Sequence, residues 1–158
     1  MDVLVREATV EDAQLIAELT RAAWAGTLPV TSSGYRETAV RVRQDLQHGG
    51  GFILTADDVP AGSVRWLPLD SQRRAWEILR MGIVPAWRGH HLSQHLLEAV
   101  VHHAMVCDVD ELRLAVPDRP GLLHLYAAFG FDIAHELEHT HANPMEPTPF
   151  VMRRLLGR

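Results

Sequence analysis

The spacing of apolar positions changes several times along the chain, and each change marks an element. Val3-Leu4-Val5 reads as a short strand. Thr9-Val10-Glu11-Asp12 sets a hydroxyl three residues before a carboxylate, the pattern of a capping box. Behind it Leu15, Ile16, Leu19, Ala22 and Ala23 recur close to the helical period, which predicts a helix ending near Gly26, ahead of Pro29. A second helical pattern runs from Tyr35 to Gln47 and stops at Gly49-Gly50-Gly51. Gly51 to Thr55 and Gly62 to Trp66 read as strands around the turn-forming Asp57-Asp58-Val59-Pro60. Trp76 to Val84 is a further strand, followed by a helix from Leu92 to Val106, a strand from Leu112 to Val116 and a short helix from Leu122 to Phe129. Phe131 to Thr140 is expected to be a strand, and Phe150 to Leu155 the last one, after the loop around Asn143-Pro144. This order defines a mixed α/β (α+β) chain, and no repeat or linker divides residues 1–158, so a single domain is expected.

Composition narrows the classes without naming a function. A chain of 158 residues with 47% apolar and 22% charged positions is an ordinary globular composition. The net charge of −5 speaks against a dedicated nucleic-acid surface but leaves room for a local basic pocket. The single Cys107 has no intramolecular partner, which fits a reducing compartment. The first residues lack the basic-then-apolar pattern of a signal peptide, and no run approaches the roughly 20 apolar residues of a membrane span. A cytoplasmic protein with no membrane or nucleic-acid partner is therefore expected.

Two local motifs carry the chemistry. Glu77-Ile78-Leu79-Arg80-Met81-Gly82-Ile83-Val84-Pro85 leads into Trp87-Arg88-Gly89-His90-His91-Leu92-Ser93 at the start of a predicted helix. Leu125-Tyr126-Ala127-Ala128-Phe129-Gly130-Phe131 closes the next one. A helix start presents unpaired N–H groups and the positive end of its dipole, which suits a pyrophosphate. In this order, and over nearly the whole chain, the two motifs resemble those of the GNAT superfamily of acyl-CoA-dependent N-acyltransferases. The resemblance implies a GNAT fold, a central mixed twisted sheet flanked by helices, with acetyl-CoA as the acyl donor. It also implies a small-molecule amine or a protein or peptide amine as acceptor. A homodimer is left open.

Carried over residue by residue, the resemblance assigns the cofactor loop to Arg88, Gly89, His90, His91, Leu92 and Ser93, and the pantetheine-bonding backbone to Ile83 and Val84. The family pattern has Gln or Arg first, glycine fourth and Gly or Ala sixth; here these are Arg88, His91 and Ser93. His91 therefore either crowds the pyrophosphate or supplies a turn with φ > 0, the latter at a backbone cost of about 1–2 kcal/mol. Replacing it with glycine is expected to tighten acetyl-CoA binding. An amine near pKa 10.4 is protonated at pH 7, a penalty of about 4.6 kcal/mol, so a base helps. Glu77 aligns with the base glutamate of histone-type members, and a solvent-facing glutamate is the competing reading. On an unbroken strand Glu77, Leu79, Met81 and Ile83 share a face, unless a bulge intervenes. Tyr126 aligns with the tyrosine that protonates the departing thiolate, with a packing role as the alternative. Arg119 stands where the family often has asparagine, Leu122 where it has alanine. Trp24, Tyr35 and Glu37 fall in the region that commonly shapes the acceptor pocket, and Trp76 reads as packing.

The histidines invite a metal reading. His135-Glu136-Leu137-Glu138-His139 matches H-E-x-x-H, which needs a helix to bring both imidazoles to one zinc, yet the segment is expected to be a strand. His91, His95, Glu98 and His102 share one helix face, read as a solvated polar face. No metal site is expected. Nothing in the sequence gives Cys107 an activating base, so transfer is expected to be direct. The readings left standing are an N-acetyltransferase, a GNAT-fold acyl-CoA-binding or regulatory module with a degraded loop and no turnover, and, more distantly, a metal-dependent hydrolase.

Overall fold

A computed structural model describes residues 1–25, 36–70, 74–117, 121–137 and 149–157. Its strands are β1 (Val3–Glu7), β2 (Gly50–Ala56), β3 (Val59–Asp70), β4 (Ala75–Ile83), β5 (Glu111–Val116), β6 (Asp132–Ile133) and β7 (Phe150–Leu155). They form one seven-stranded sheet in the order β1-β2-β3-β4-β5-β7-β6. Every pairing is antiparallel except β4 with β5, which are joined through a crossover helix as parallel neighbours require. The helices are α1 (Ala13–Trp24), α2 (Ala39–His48), α3 (Leu92–Val106) and α4 (Leu122–Ala128).

Alternation along the strands builds a core on each side. Leu54, Val64, Trp66, Ile78, Leu112, Leu114 and Met152 face α3, whose Leu92, Leu96, Leu97, Val100 and Ala104 are buried against them. On the opposite face Ile53 packs with Ala13, Ile16, Ala17 and Leu19 of α1 and Val42 of α2. The apolar stripe read along the first helix is thus its buried side. Trp76 packs as expected, its indole stacked on Trp66 with ring centroids 5.2 Å apart. Asp57 and Asp58, with φ of 48° and 66°, close a two-residue hairpin turn between β2 and β3.

Two expectations are corrected. The second helix starts at Ala39, not at Tyr35, because the Thr38 hydroxyl accepts the Arg41 N–H at 3.2 Å and caps it there. Tyr35 lies outside the described residues. The strand expected from Phe131 to Thr140 shrinks to Asp132–Ile133, because the Leu137 N–H turns back to the Ala134 carbonyl at 3.0 Å and ends the ladder. Residues 138–140 are not among those described.

Candidate functional site

Strand β4 carries the feature that opens the sheet. Arg65 pairs with Leu79 but Ser63 with Gly82, so β4 has one more residue than β3 over that interval: a bulge. Arg80 takes the strain, with φ of 54°. The extra residue reverses the alternation. Glu77 and Leu79 lie on the α1–α2 face, while Met81 and Ile83 pack into the α3 core. Glu77 and Ile83 therefore sit on opposite faces. Pairing of β4 with β5 covers only Ala75–Ile78 against Glu111–Leu114. Beyond it, Leu79–Ile83 holds to β3 alone, and Ala115 and Val116 to β7 alone. The parted strands leave a cleft in the middle of the sheet.

At its mouth lies the loop between Val84 and α3. Gly89 has φ of 88° and open space where a Cβ would stand. His91, the N-cap of α3, adopts φ 57° and ψ 31°, the left-handed turn expected as one alternative. No side chain caps this helix end, and the Leu92 and Ser93 amides begin it. A helix start with free amides and glycine-like backbone beside it fits a pyrophosphate. The Arg88 guanidinium is engaged with the protein's own backbone. Its Nε donates to the Ile83 carbonyl at 3.2 Å, and an Nη donates to the Ala23 carbonyl at the end of α1. The Val84 N–H is bonded to the Ala61 carbonyl at 2.8 Å. The Ile83 carbonyl keeps a second lone pair, whereas the Val84 amide is committed to the sheet.

Tyr126 is placed by the end of α4. The Gly130 N–H bonds to the Ala127 carbonyl and the Phe131 N–H to the Tyr126 carbonyl, the two bonds of a Schellman cap. Gly130 supplies the left-handed residue, with φ of 85°. Phe131 then meets Tyr126 edge-on at 6.3 Å. The second sequence motif is thus a helix stop that fixes a tyrosine ring. Burial pushes the Tyr126 phenol up to about 12. Its ring packs against the α3 core, on the side of the sheet away from Glu77.

On the Glu77 face lies a charge network that no sequence motif announced. Arg65, 1% exposed, donates to the carboxylates of Glu37 and, at 2.8 Å, Asp45. Arg80 Nε stands 3.4 Å from the same Glu37 carboxylate. Arg21 donates to the Glu37 backbone carbonyl at 2.6 Å, and Arg41 approaches Asp45 at 3.6 Å. Burial lowers the Arg80 guanidinium from its usual value, with Glu37 opposing that shift. Glu37, expected from its position near the acceptor pocket, is a buried counter-ion of Arg65 and Arg80. Trp24 and Ala23 close on Gly82, where a Cβ would lie 2.8 and 2.9 Å from them. Only a cationic residue inside an alternating strand, Arg65, hinted at this network in the sequence.

Among the described residues no group of three histidine, cysteine or acidic side chains could hold a metal. His135 and Glu136 sit in the turn after β6, with the Glu136 carboxylate 2.6 Å from Arg153. His139 is outside the described residues. His91, His95, Glu98 and His102 are exposed, the solvated face read from their spacing. One correction concerns Cys107: its Sγ lies 3.8 Å from Nε2 of His103, a neighbour that the four-residue helical spacing could have revealed. Both stand at the C-terminal end of α3, where the helix dipole disfavours a thiolate. Among the described residues no helix is long and apolar enough to cross a membrane.

The sequence model of the acetyltransferase (GNAT) family matches residues 15–131, and the chain belongs to that family. No curated protein sequence matches it. Among solved structures it is similar to the PaiA N-acetyltransferase of Thermoplasma acidophilum in complex with coenzyme A, with a TM-score of 0.75 at 17% identity over 99% of this chain and 100% of that one. It is also similar to the ribosomal-protein-S18-alanine N-acetyltransferase of Escherichia coli, with a TM-score of 0.73 at 14% identity over 99% and 96% of the two chains. The N-acetylglutamate synthase of Neisseria gonorrhoeae, complexed with coenzyme A and N-acetyl-glutamate, gives a TM-score of 0.74 at 18% identity; all of this chain aligns, with 36% of that one. At such identities the likeness is one of fold, and the fold is that of the GNAT acetyltransferases. The cofactor of this family is acetyl-CoA.

Proposed function

We propose that this protein is an N-acetyltransferase that moves an acetyl group from acetyl-CoA to a primary amine by direct transfer. The observation that carries this reading is the parted sheet, with an uncapped helix start at its mouth, Glu77 on one face and Tyr126 on the other. Acetyl-CoA, when bound, supplies an acyl thioester. The amides of Leu92 and Ser93 and the turn at Gly89, His90 and His91 would hold its pyrophosphate. Arg88 supports that loop by tying Ile83 to Ala23 through its guanidinium. The Ile83 carbonyl and the strand around Val84 line the cleft for the pantetheine arm.

Glu77 approaches the cleft from the α1–α2 face, where an incoming amine can lose its proton to the carboxylate directly or through water. Tyr126 Oη keeps its proton at neutral pH. A phenol near 12 faces a thiol near 8.5, so complete transfer to the leaving sulfur is uphill by about 5 kcal/mol. Its action is a hydrogen bond that disperses charge on the sulfur, and water completes the protonation. The acceptor is a small-molecule, peptide or protein amine, and the reaction belongs in the cytoplasm.

Calorimetric titration with acetyl-CoA, followed by thiol release over an amine panel, tests the reading. Micromolar binding and amine-dependent release are expected. No binding at millimolar acetyl-CoA would overturn the enzyme. Binding with no release for any amine would favour an acyl-CoA-binding module without turnover.

A further inference from the structure

Two costly features meet on the α1–α2 face of the bulge. Arg80 holds φ of 54° in a strand, a left-handed conformation that disfavours a side chain. Beside it Arg65, Glu37 and Asp45 are withdrawn from water, with the Nε of Arg65 lacking any hydrogen-bond partner. Apolar side chains of the same volume would commonly serve stability as well or better. Strain and buried charge at one spot point to a requirement beyond folding.

Cations crowd two carboxylates here: Arg65 and Arg80 share Glu37, Arg65 and Arg41 share Asp45, and Arg21 donates to the Glu37 backbone carbonyl. Arg65 already occupies the Glu37 carboxylate, so Arg80 shares a counter-ion that is in use. Arg80 meets it through Nε at 3.4 Å, an edge contact that leaves donor capacity among the five N–H groups of the guanidinium. Its side chain is 30% exposed against 1% for Arg65. The bulge puts this guanidinium on the same face as Glu77, within roughly 10 Å along the strand. It stands beside the cleft on the side opposite the α3 core.

We propose that Arg80 is a specificity-determining residue that receives a carboxylate of the acceptor, so that the acceptor is an amino acid or another amine bearing an acid group. Glu37 holds the guanidinium by its Nε edge, and the remaining fork matches a carboxylate in two parallel hydrogen bonds. The proposal rests on the acyltransfer reading above and adds the acceptor's class to it.

The test compares amines with their amides: glycine, β-alanine, 4-aminobutyrate and glutamate, each against its carboxamide, by thiol release with saturating acetyl-CoA. At least one acid should exceed its amide tenfold or more in kcat/KM. Arg80→Gln should bring that ratio close to one, chiefly through KM, and Arg80→Lys should retain part of it. Acetyl-CoA affinity should stay within about twofold in both variants, which also verifies folding. Titrating the best acid into protein saturated with coenzyme A should show at least tenfold weaker binding in Arg80→Gln. Amides equal to or better than acids throughout would overturn the proposal, a result that needs no variant. So would an acid preference that survives Arg80→Gln, or acetyl-CoA binding with transfer to none of the acids. Failure of the wild-type protein to bind acetyl-CoA is a separate outcome, which removes the acyltransfer reading and this proposal with it.

Discussion

His91 stands where the family pattern has glycine and adopts the left-handed backbone that glycine would supply. Its backbone, with φ 57° and ψ 31°, is the left-handed turn that a side chain disfavours, a strain carried by the folded chain. His91→Gly should then leave stability within about 1 kcal/mol, relief of strain being offset by a freer unfolded chain, whereas His91→Ala should lose about 1 kcal/mol in denaturant melts. Acetyl-CoA affinity of His91→Gly should change less than threefold; a tenfold gain would show that the imidazole crowds the phosphates. This moderates the tightening expected from the sequence. For Tyr126 the raised value means that the neutral phenol persists in the folded protein. Its contribution to stability is complete below the unfolded value near 10 and fades as pH rises through about 12. Turnover should therefore show no loss from tyrosine ionisation up to pH 10. Tyr126→Phe should lower kcat with acetyl-CoA affinity spared, and an unchanged kcat would remove its role. Glu77→Gln should flatten the rise of rate with pH, and an unaltered profile would move the base elsewhere.

At the scale of elements, β4 shows most clearly what a linear pattern can and cannot convey. Trp76 to Val84 reads as a strand, and its bounds differ from the structure by one residue at either end. The register of its far half depends on a bulge at Arg80, whose guanidinium meets Glu37 from the segment ahead of α2, far earlier in the chain. Gly82 lies just past the bulge because Trp24 and Ala23 of α1 pack directly on it. Gly82→Ala should destabilise by about 1–3 kcal/mol in denaturant melts, since that methyl has to displace α1. By contrast α4 was legible to within one residue of its end, Leu122 to Phe129 against Leu122–Ala128, because neighbours a few residues apart close it with a Schellman cap. The strand expected after it was too long because a run of alternating residues carries no signal for a turn closed by backbone alone.

For the molecule as a whole, the parted sheet implies a stability that depends on its ligand. On the proposed binding across the β4–β5 cleft and the α3 terminus, acetyl-CoA would bind only the folded chain, and at a hundredfold excess over Kd it should add about 2.7 kcal/mol, read as a rise in Tm. An unmoved Tm at that excess would speak against binding in the cleft. The order of elements, the two apolar faces and both motifs were determined by the sequence alone, because periodicity, helix caps and left-handed turns are set by neighbours a few residues apart. Tertiary structure alone decided that Glu77 and Ile83 lie on opposite faces, that Arg88 turns to backbone carbonyls, and that Glu37, Asp45, Arg65 and Arg80 share one buried network. Each of these depends on a pairing register or a charge partner from a distant part of the chain, which no local spacing encodes.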